Sequence, residues 1–229
     1  IHYTLELADT VVASRYDSCI TSIPLRDVFN RKEDIYEEIK DLEGQLIVKE
    51  YPTKSASVET VRNHLEKLRQ REILPEVIIV DYADLLRSKD KKDEKRHQLE
   101  SIYEELRAMA QEFECPVWTA SQTNRSGLNA EVITMESISE AFNKCFVADF
   151  IFSISRTIQH KNANSGRMFI AKNRNGPDGL VYPIFMDTAN VKIDVLPQTE
   201  TYEEIKQNAV KKQEEQLKEK YKDFRRKKK

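Results

Sequence analysis

The sequence predicts an α/β fold whose sheet is largely parallel. Val77-Ile78-Ile79-Val80 is an unbroken run of β-branched apolar residues. That is the composition of a strand buried on both faces of a parallel sheet. Over the first two thirds of the chain, short runs of this kind alternate with amphipathic stretches of helical period. Further on, two apolar stretches flank Asn175-Gly176-Pro177-Asp178-Gly179, a hairpin-like turn. It predicts antiparallel strands at one edge.

Taken in order, His2 to Leu5 alternates like a strand end. A helix follows from Asp9 to Cys19, with Asp9 as its cap. Asp27 to Glu43 is charged and reads as one helix stopped by Gly44. Gln45 to Glu50 is a short strand, and Tyr51-Pro52-Thr53 a turn. Ser57 caps a helix reaching about Arg71, with Val58, Val61, Leu65 and Leu68 on one face. After the Asp81 strand, Arg87 to Lys95 is a charged, protruding loop. Gln98 to Phe113 is a helix with Ile102, Leu106, Met109 and Phe113 on its inner face. Pro116 to Ala120 is a buried strand leading to Ser121-Gln122. Phe150 to Ile154, Met168 to Ala171, Val181 to Met186 and Val191 to Val195 complete the strands.

A chain of 229 residues can bury one sizeable core. It is 39% hydrophobic and 33% charged, with a net charge of −2, so there is no global basic signature for nucleic acid and local loops must supply any such binding. Cys19, Cys115 and Cys145 are far apart and odd in number. They indicate neither a disulfide framework nor a zinc site, and fit a reducing, cytoplasmic setting. No apolar run approaches membrane-spanning length, which gives no sign of a membrane partner.

Four sites fall at strand ends: Glu6, Asp81, Gln122 and Lys172-Asn173-Arg174. The carboxyl edge of a parallel sheet is where α/β proteins bind ligands. Asp81 reads either as a carboxylate that holds a nucleotide's Mg²⁺ or as a capping residue at a strand-to-loop turn. A second carboxylate there can orient and deprotonate water. A neutral amide can hydrogen-bond a terminal phosphate. Lys172 and Arg174 lie two apart, so on a strand both point the same way and suit a negatively charged transition state.

The strings Tyr3-Thr4-Leu5-Glu6-Leu7, VIIVDY, TASQTNR and IAKNRNGPDG, in that order and spacing, resemble the RecA-like motor domain of DnaB-family replicative helicases. LIVKEYPT (46–53) and EELRAMAQEFECPVWTASQ (104–122) look closest to the T-even bacteriophage branch. The resemblance covers roughly residues 1 to 195. It implies ATP and Mg²⁺ as ligands. It makes Glu6 the carboxylate that activates water, Asp81 the metal-associated Asp of the Walker B strand, and Gln122 the γ-phosphate sensor. Lys172 and Arg174 match a pair that reaches into a neighbouring subunit's ATP site. Arg15 matches an Arg that packs on adenine, against the plain alternative of a surface residue.

The segment Glu136 to Lys144 matches a loop and helix edge that tracks single-stranded DNA. Glu140 agrees with the family pattern. Ser139 stands where bacterial members often carry Arg, and Phe142 and Asn143 replace small residues. Phe142 reads as core or as a DNA contact. Lys144 and Arg125 are nearby cations that would replace the lost charge. The largest departure is that no GxxxxGK[ST] occurs, so the phosphate-cradling loop is missing. The simplest account is a chain that opens one strand-helix unit after that loop.

The expected organisation is a motor domain over 1–197 and a charged, helical or frayed tail over 198–229. The basic end, Arg225 to Lys229, reads as a solvated run or as a contact for nucleic acid or a partner. The implied function is an ATP-driven hexameric helicase at the replication fork, acting with a primase and a loader, in the cytoplasm of a bacterial host. The piece alone is expected to be inactive. The alternatives are a recombinase-like or clock-protein-like ATPase, and a non-hydrolysing subunit that binds DNA or a helicase ring.

Overall fold

The computed structural model describes residues 1–89, 94–123, 130–135, 144–199, 201–205 and 207–208. The chain divides into two compact units. The first comprises Ile1–Ser126, Met135–Asp149 and Asp187–Ile193; the second comprises Gly127–Thr134, Phe150–Met186 and Asp194–Lys229.

The first unit is built on a four-stranded parallel sheet. Its strands are β1 (His2–Thr4), β2 (Val48–Glu50), β3 (Ile78–Asp81) and β4 (Val117–Thr119), in the order β2-β1-β3-β4. The register sets Tyr3 beside Val80 and Thr4 beside Asp81. Alternation along the strands then sorts the side chains. Tyr3, Ile78 and Val80 join one buried cluster with Val61 and Leu65 of α3 (Val58–Arg69) and Ile102, Leu106 and Met109 of α4 (Lys95–Glu112). His2 takes the opposite face and meets Tyr16 of α1 (Asp9–Thr21). Helices therefore cover both faces of this sheet, as expected for α/β.

Helix α3 follows its sequence closely. Ser57 accepts from the Thr60 amide while the Thr60 side chain accepts from the Ser57 amide, a reciprocal capping box. Val58, Val61, Leu65 and Leu68 are buried as their spacing predicts. Helix α1 is capped differently from the expectation. Asp9 lies inside the first turn, Ala8 is the cap, and the Glu50 carboxylate at the end of β2 accepts from the Asp9 amide at 3.2 Å. The single helix expected over Asp27 to Glu43 is two pieces, a 3₁₀ turn at Val28–Asn30 and α2 at Lys32–Ile39. Arg31 between them leaves helical geometry, and Val28 and Ile35 turn into a small separate cluster with Ile23. Asp27 and Asn30 are residues that favour turns over helix interiors.

β4 is the end strand of its sheet, and Trp118 is 43% exposed, so the fully buried strand expected over Pro116 to Ala120 is half open. The expected protruding loop starts well anchored: the Arg87 amide donates to Ala56, and Lys89 pairs with Glu59. Its centre, 90–93, lies outside the described residues, and its last residue, Lys95, opens α4.

The second unit carries the antiparallel strands as a sheet of their own: β5 (Phe150–Ser155), β6 (Ser165–Asn173), β7 (Val181–Asp187) and β8 (Lys192–Val195), in chain order. α5 (Lys144–Val147), in the first unit, precedes β5, and α6 (Ile158–Asn162) joins β5 to β6. A Cβ at Gly166 would lie 2.9 Å from the Ser155 carbonyl oxygen, so only glycine fits that crossing. Thr201 and Glu204 cap a helical turn over 202–205, Tyr202 packs on Phe169, and Ile205 is buried. The start of the expected tail is thus part of this unit, while 209–229, with the basic end, lie outside the described residues. Among the described residues no helix is long and apolar enough to cross a membrane.

Core packing dominates capping here. Leu65 is fully buried, so Leu65→Ala is expected to cost about 2–5 kcal/mol, against about 1 kcal/mol for Ser57→Ala. Urea titrations of the two variants check the ranking.

Candidate functional site

The β1–α1 turn presents Glu6. Thr4 ties it down, donating its hydroxyl to the Leu7 carbonyl at 2.7 Å and accepting from the Leu7 amide at 3.2 Å. Thr53, from the loop after β2, donates to the Leu5 carbonyl at 2.6 Å. Glu6 between them is left exposed. In the adjacent strand Asp81 closes β3, and the peptide joining it to Tyr82 is cis. Gln122 lies three residues beyond β4, exposed, and its Nε2 donates to the Tyr82 hydroxyl at 2.8 Å. Burial raises the Tyr82 phenol, and the charges of Glu6, Asp84 and Asp81 raise it further. The Tyr82 hydroxyl thus meets Gln122 directly, and the paired ends of β1 and β3 carry Glu6 and Asp81, whose charges reach the same phenol.

Asp81 is held ionised. His2 Nε2 lies 3.9 Å from its Oδ2, too far for a hydrogen bond. The imidazole lowers the Asp81 carboxyl below its ordinary value, and the Arg15 charge adds to this against the opposing effect of burial. Arg15 itself is exposed on α1, one residue before Tyr16, whose hydroxyl meets His2 Nδ1 at 3.0 Å. His2 Nε2 is buried without a hydrogen-bond partner.

A second polar group lies behind this rim. Asp84 follows β3 in a 3₁₀ turn at Ala83–Leu85. Its Oδ1 accepts from Tyr103 of α4 at 2.9 Å, and its Oδ2 is 3.1 Å from Lys144 Nζ. Ser121, next to Gln122, donates to the same Oδ2 at 3.5 Å. Lys144 is 2% exposed and stacks its ammonium over the Tyr103 ring at 5.5 Å. The expectation that Lys144 faces DNA does not fit this placement. A buried ammonium is stable only beside a counter-charge, and Asp84 provides it.

In the second unit Lys172 lies on β6 opposite Ile151, half-buried, while Arg174 is exposed. Their expected common strand face is not formed, because β6 ends at Asn173. Asn173 builds the turn instead, accepting from the Asn175 amide and donating to the Pro177 carbonyl. Arg174 thus leaves the strand with that turn. Arg125, Ser139, Glu140, Phe142 and Asn143 lie outside the described residues.

Residues 2–191 match the family of the DnaB-like helicase C terminal domain. The chain belongs to this family. Among curated relatives, the DnaB-like replicative helicase of Enterobacteria phage T4 is 30% identical over 170 residues, 69% of this chain and 36% of that protein. The replicative DNA helicase DnaB of Geobacillus stearothermophilus is 31% identical over 145 residues, 60% of this chain and 32% of that one. The chain thus spans about a third of the length of these relatives. A solved structure of a DnaB-like replicative helicase and its interactions with primase shares the fold at 18% identity, with a TM-score of 0.71 that covers 86% of this chain and 50% of that one. A solved ATPase domain does so at the same identity, with a TM-score of 0.70 that covers 86% of this chain and 74% of that one.

Sequence reasoning on this DnaB-like domain passed over Tyr82, Tyr103, Asp84 and His2. Tyr82 had a signal, since it directly follows the strand-end carboxylate. Tyr103 lies beside Ile102 on the inner side of α4, where a polar-tipped aromatic calls for a buried partner. Among the described residues of the domain no group of three metal-ligating side chains exists.

The depressed Asp81 value has a sign. Its stabilisation is complete above the ordinary aspartate value of 3.8 and is lost as pH falls through the lower folded value. Asp81→Asn is expected to flatten the acid limb of a stability-against-pH curve below about pH 4 and leave the neutral region unchanged in slope. An NMR titration placing Asp81 at or above 3.8 contradicts this.

Proposed function

We propose that the chain is the ATP-hydrolysing motor of a ring-forming replicative DNA helicase. The observation that carries this is the alignment of the β1 and β3 ends, which bear Glu6 and Asp81, with Gln122 bonded to Tyr82 beside them, in a domain of the DnaB-like helicase family. The wider reading is supported by the relatives' descriptions as replicative helicases and, for one solved structure, by its interactions with primase. A primase and a loader are the proposed protein partners.

The donor set suits a Mg²⁺–nucleotide. Asp81 is a carboxylate kept ionised at the sheet's carboxyl edge, and it is the residue that would hold the ion. When bound, Mg²⁺ neutralises charge on the triphosphate. Glu6 stands exposed on the adjacent turn, where it orients and deprotonates the attacking water. Gln122 donates its amide to Tyr82, and a γ-phosphate placed at this rim would compete with the phenol for that donor. This exchange is how Gln122 reports hydrolysis. Arg15 lies on α1 beside the carboxylates and packs on the adenine face. Arg174, carried outward by the Asn173 turn, and Lys172 on β6 serve a neighbouring subunit's site in a hexamer. Positions 136–143, with Glu140 and Asn143, together with Arg125, form the single-stranded DNA contact.

No GxxxxGK[ST] is present, so the 229-residue chain by itself is expected to bind ATP weakly and hydrolyse almost none. Steady-state ATPase of this chain beside the full-length protein checks that expectation. In the full-length protein Glu6→Gln should retain ATP binding and lose hydrolysis by about 10²-fold or more. Unchanged turnover would make Glu6 a structural residue. Arg174→Ala should lose about 10³-fold. Mixing those two inactive proteins should restore part of the activity, because some interfaces then hold both groups. No recovery, with subunit exchange demonstrated, rules out action in trans. Unwinding of a forked duplex separates this reading from a recombinase-like one, which would instead exchange strands on paired DNA.

A further inference from the structure

The strand ends of the first unit carry a second, inner constellation that the proposed chemistry does not use. Asp84 gathers four pieces of chain. It sits on the turn leaving β3, three residues after Asp81. Tyr103 brings α4 to it at 2.9 Å. Ser121 brings the end of β4, one residue before Gln122. Lys144 brings the first residue of α5, with Nζ at 3.1 and 3.4 Å from the two carboxylate oxygens. The Tyr103 hydroxyl, whose one proton goes to Asp84, also lies 3.3 Å from the Ala120 carbonyl oxygen on that same end of β4. The Thr119 hydroxyl accepts from the Ala83 amide and donates to the Val80 carbonyl, locking β3 and β4 together at this level.

We infer that the Asp84–Tyr103–Lys144 network is a positioning device that fixes the Gln122-bearing end of β4 against the start of α5. Lys144 is 2% exposed, and an ammonium there has a single stable location, beside Asp84 and over the Tyr103 ring. Its position along α5 cannot drift without leaving a buried charge unpaired. The same carboxylate also takes Ser121, so a shift at the Gln122 end is felt by the group that holds Lys144. Two apolar surfaces could slide by fractions of an ångström at little cost, whereas a buried charge pair with directed hydrogen bonds cannot. The Tyr103 phenol, raised by burial and by Asp84, stays protonated and remains a donor.

This rests on the proposed function, because positions 136–143, assigned there to DNA, directly precede Lys144. What passes between the Gln122 end and α5 is then the link between nucleotide and DNA. Such a link is a reciprocal coupling, in which the nucleotide changes DNA affinity by some factor. Asp84, Tyr103 and Lys144 act through other residues and touch neither ligand.

The test uses the full-length protein, a labelled oligo-dT and a non-hydrolysable ATP analogue. The readout is the ratio of oligo-dT Kd without and with the analogue. In the wild type this ratio should depart from one, within the usual range of about 5- to 150-fold. A wild-type ratio of one overturns the proposed function itself, and the network's role falls with it. With wild-type coupling present, Tyr103→Phe should reduce the factor at least about threefold while DNA-free ATPase stays at the wild-type level. This variant removes one hydroxyl and keeps the ring, so it folds. The double variant Asp84→Asn/Lys144→Met leaves no lone buried charge and should bring the factor close to one. Lys144→Arg, which keeps the cation, should retain more coupling than Lys144→Met. Wild-type coupling in Tyr103→Phe, or equal coupling in the Arg and Met variants, overturns the inference and leaves the network a purely structural one.

Discussion

The register between β1 and β3 is the constraint on which the rest of this domain depends. Thr4 pairs with Asp81, and Tyr3 with Val80, so the two strands end at the same level. That single alignment puts the Glu6 turn and the Asp81–Tyr82 step side by side. It also decides the faces. Tyr3 and Val80 enter the α3–α4 core, and His2 and Asp81 turn to the α1 side. A slip of one residue would drive His2, Thr4 and Asp81 into the apolar cluster and push Tyr3 and Val80 out of it. The cost of burying an unpaired carboxylate makes that alternative inaccessible. The fully buried residues around the two strands thus stabilise the fold and hold the chemical groups in alignment.

Much of this was legible in the sequence where one physical effect dominates. The β-branched run before Asp81 read as an inner strand, and Ser57 marked the start of the helix that precedes it. Val58, Val61, Leu65 and Leu68 announced a buried stripe. Reading failed where two effects compete. Asp27 to Glu43 has helical charge spacing, yet its turn-forming residues and the demand of Val28 and Ile35 for a cluster with Ile23 split it. Trp118 looked like core because it is apolar, but its strand ends the sheet. Arg174 looked like a strand residue until the Asn173 side chain turned the backbone. For the candidate site, the strand-end rule placed Glu6, Asp81 and Gln122 near one sheet edge, where the structure has them. It had no means of finding Lys144's partner, since Asp84 lies sixty residues away and nothing local marks the pair.

The two carboxylates that flank Tyr82 illustrate how environment divides like residues. Asp81 faces the α1 side with His2 and Arg15 and is left open to a ligand. Asp84, three residues on, is turned inward and saturated by Tyr103, Lys144 and Ser121. One is available because its neighbours satisfy its charge only loosely. The other is committed because its neighbours satisfy it fully. The same short stretch of chain therefore holds one carboxylate open at the rim and one fully paired behind it.

Burial of the Asp84–Lys144 pair also separates two kinds of response to ionic strength. Contacts between cations and nucleic-acid phosphates are weakened steeply by added salt, because counterions compete for the backbone. Mobile ions cannot enter the space around Lys144, which is 2% exposed, so that pair is screened far less. In concentrated electrolyte a surface contact with a polyanion would fail well before this internal pair does.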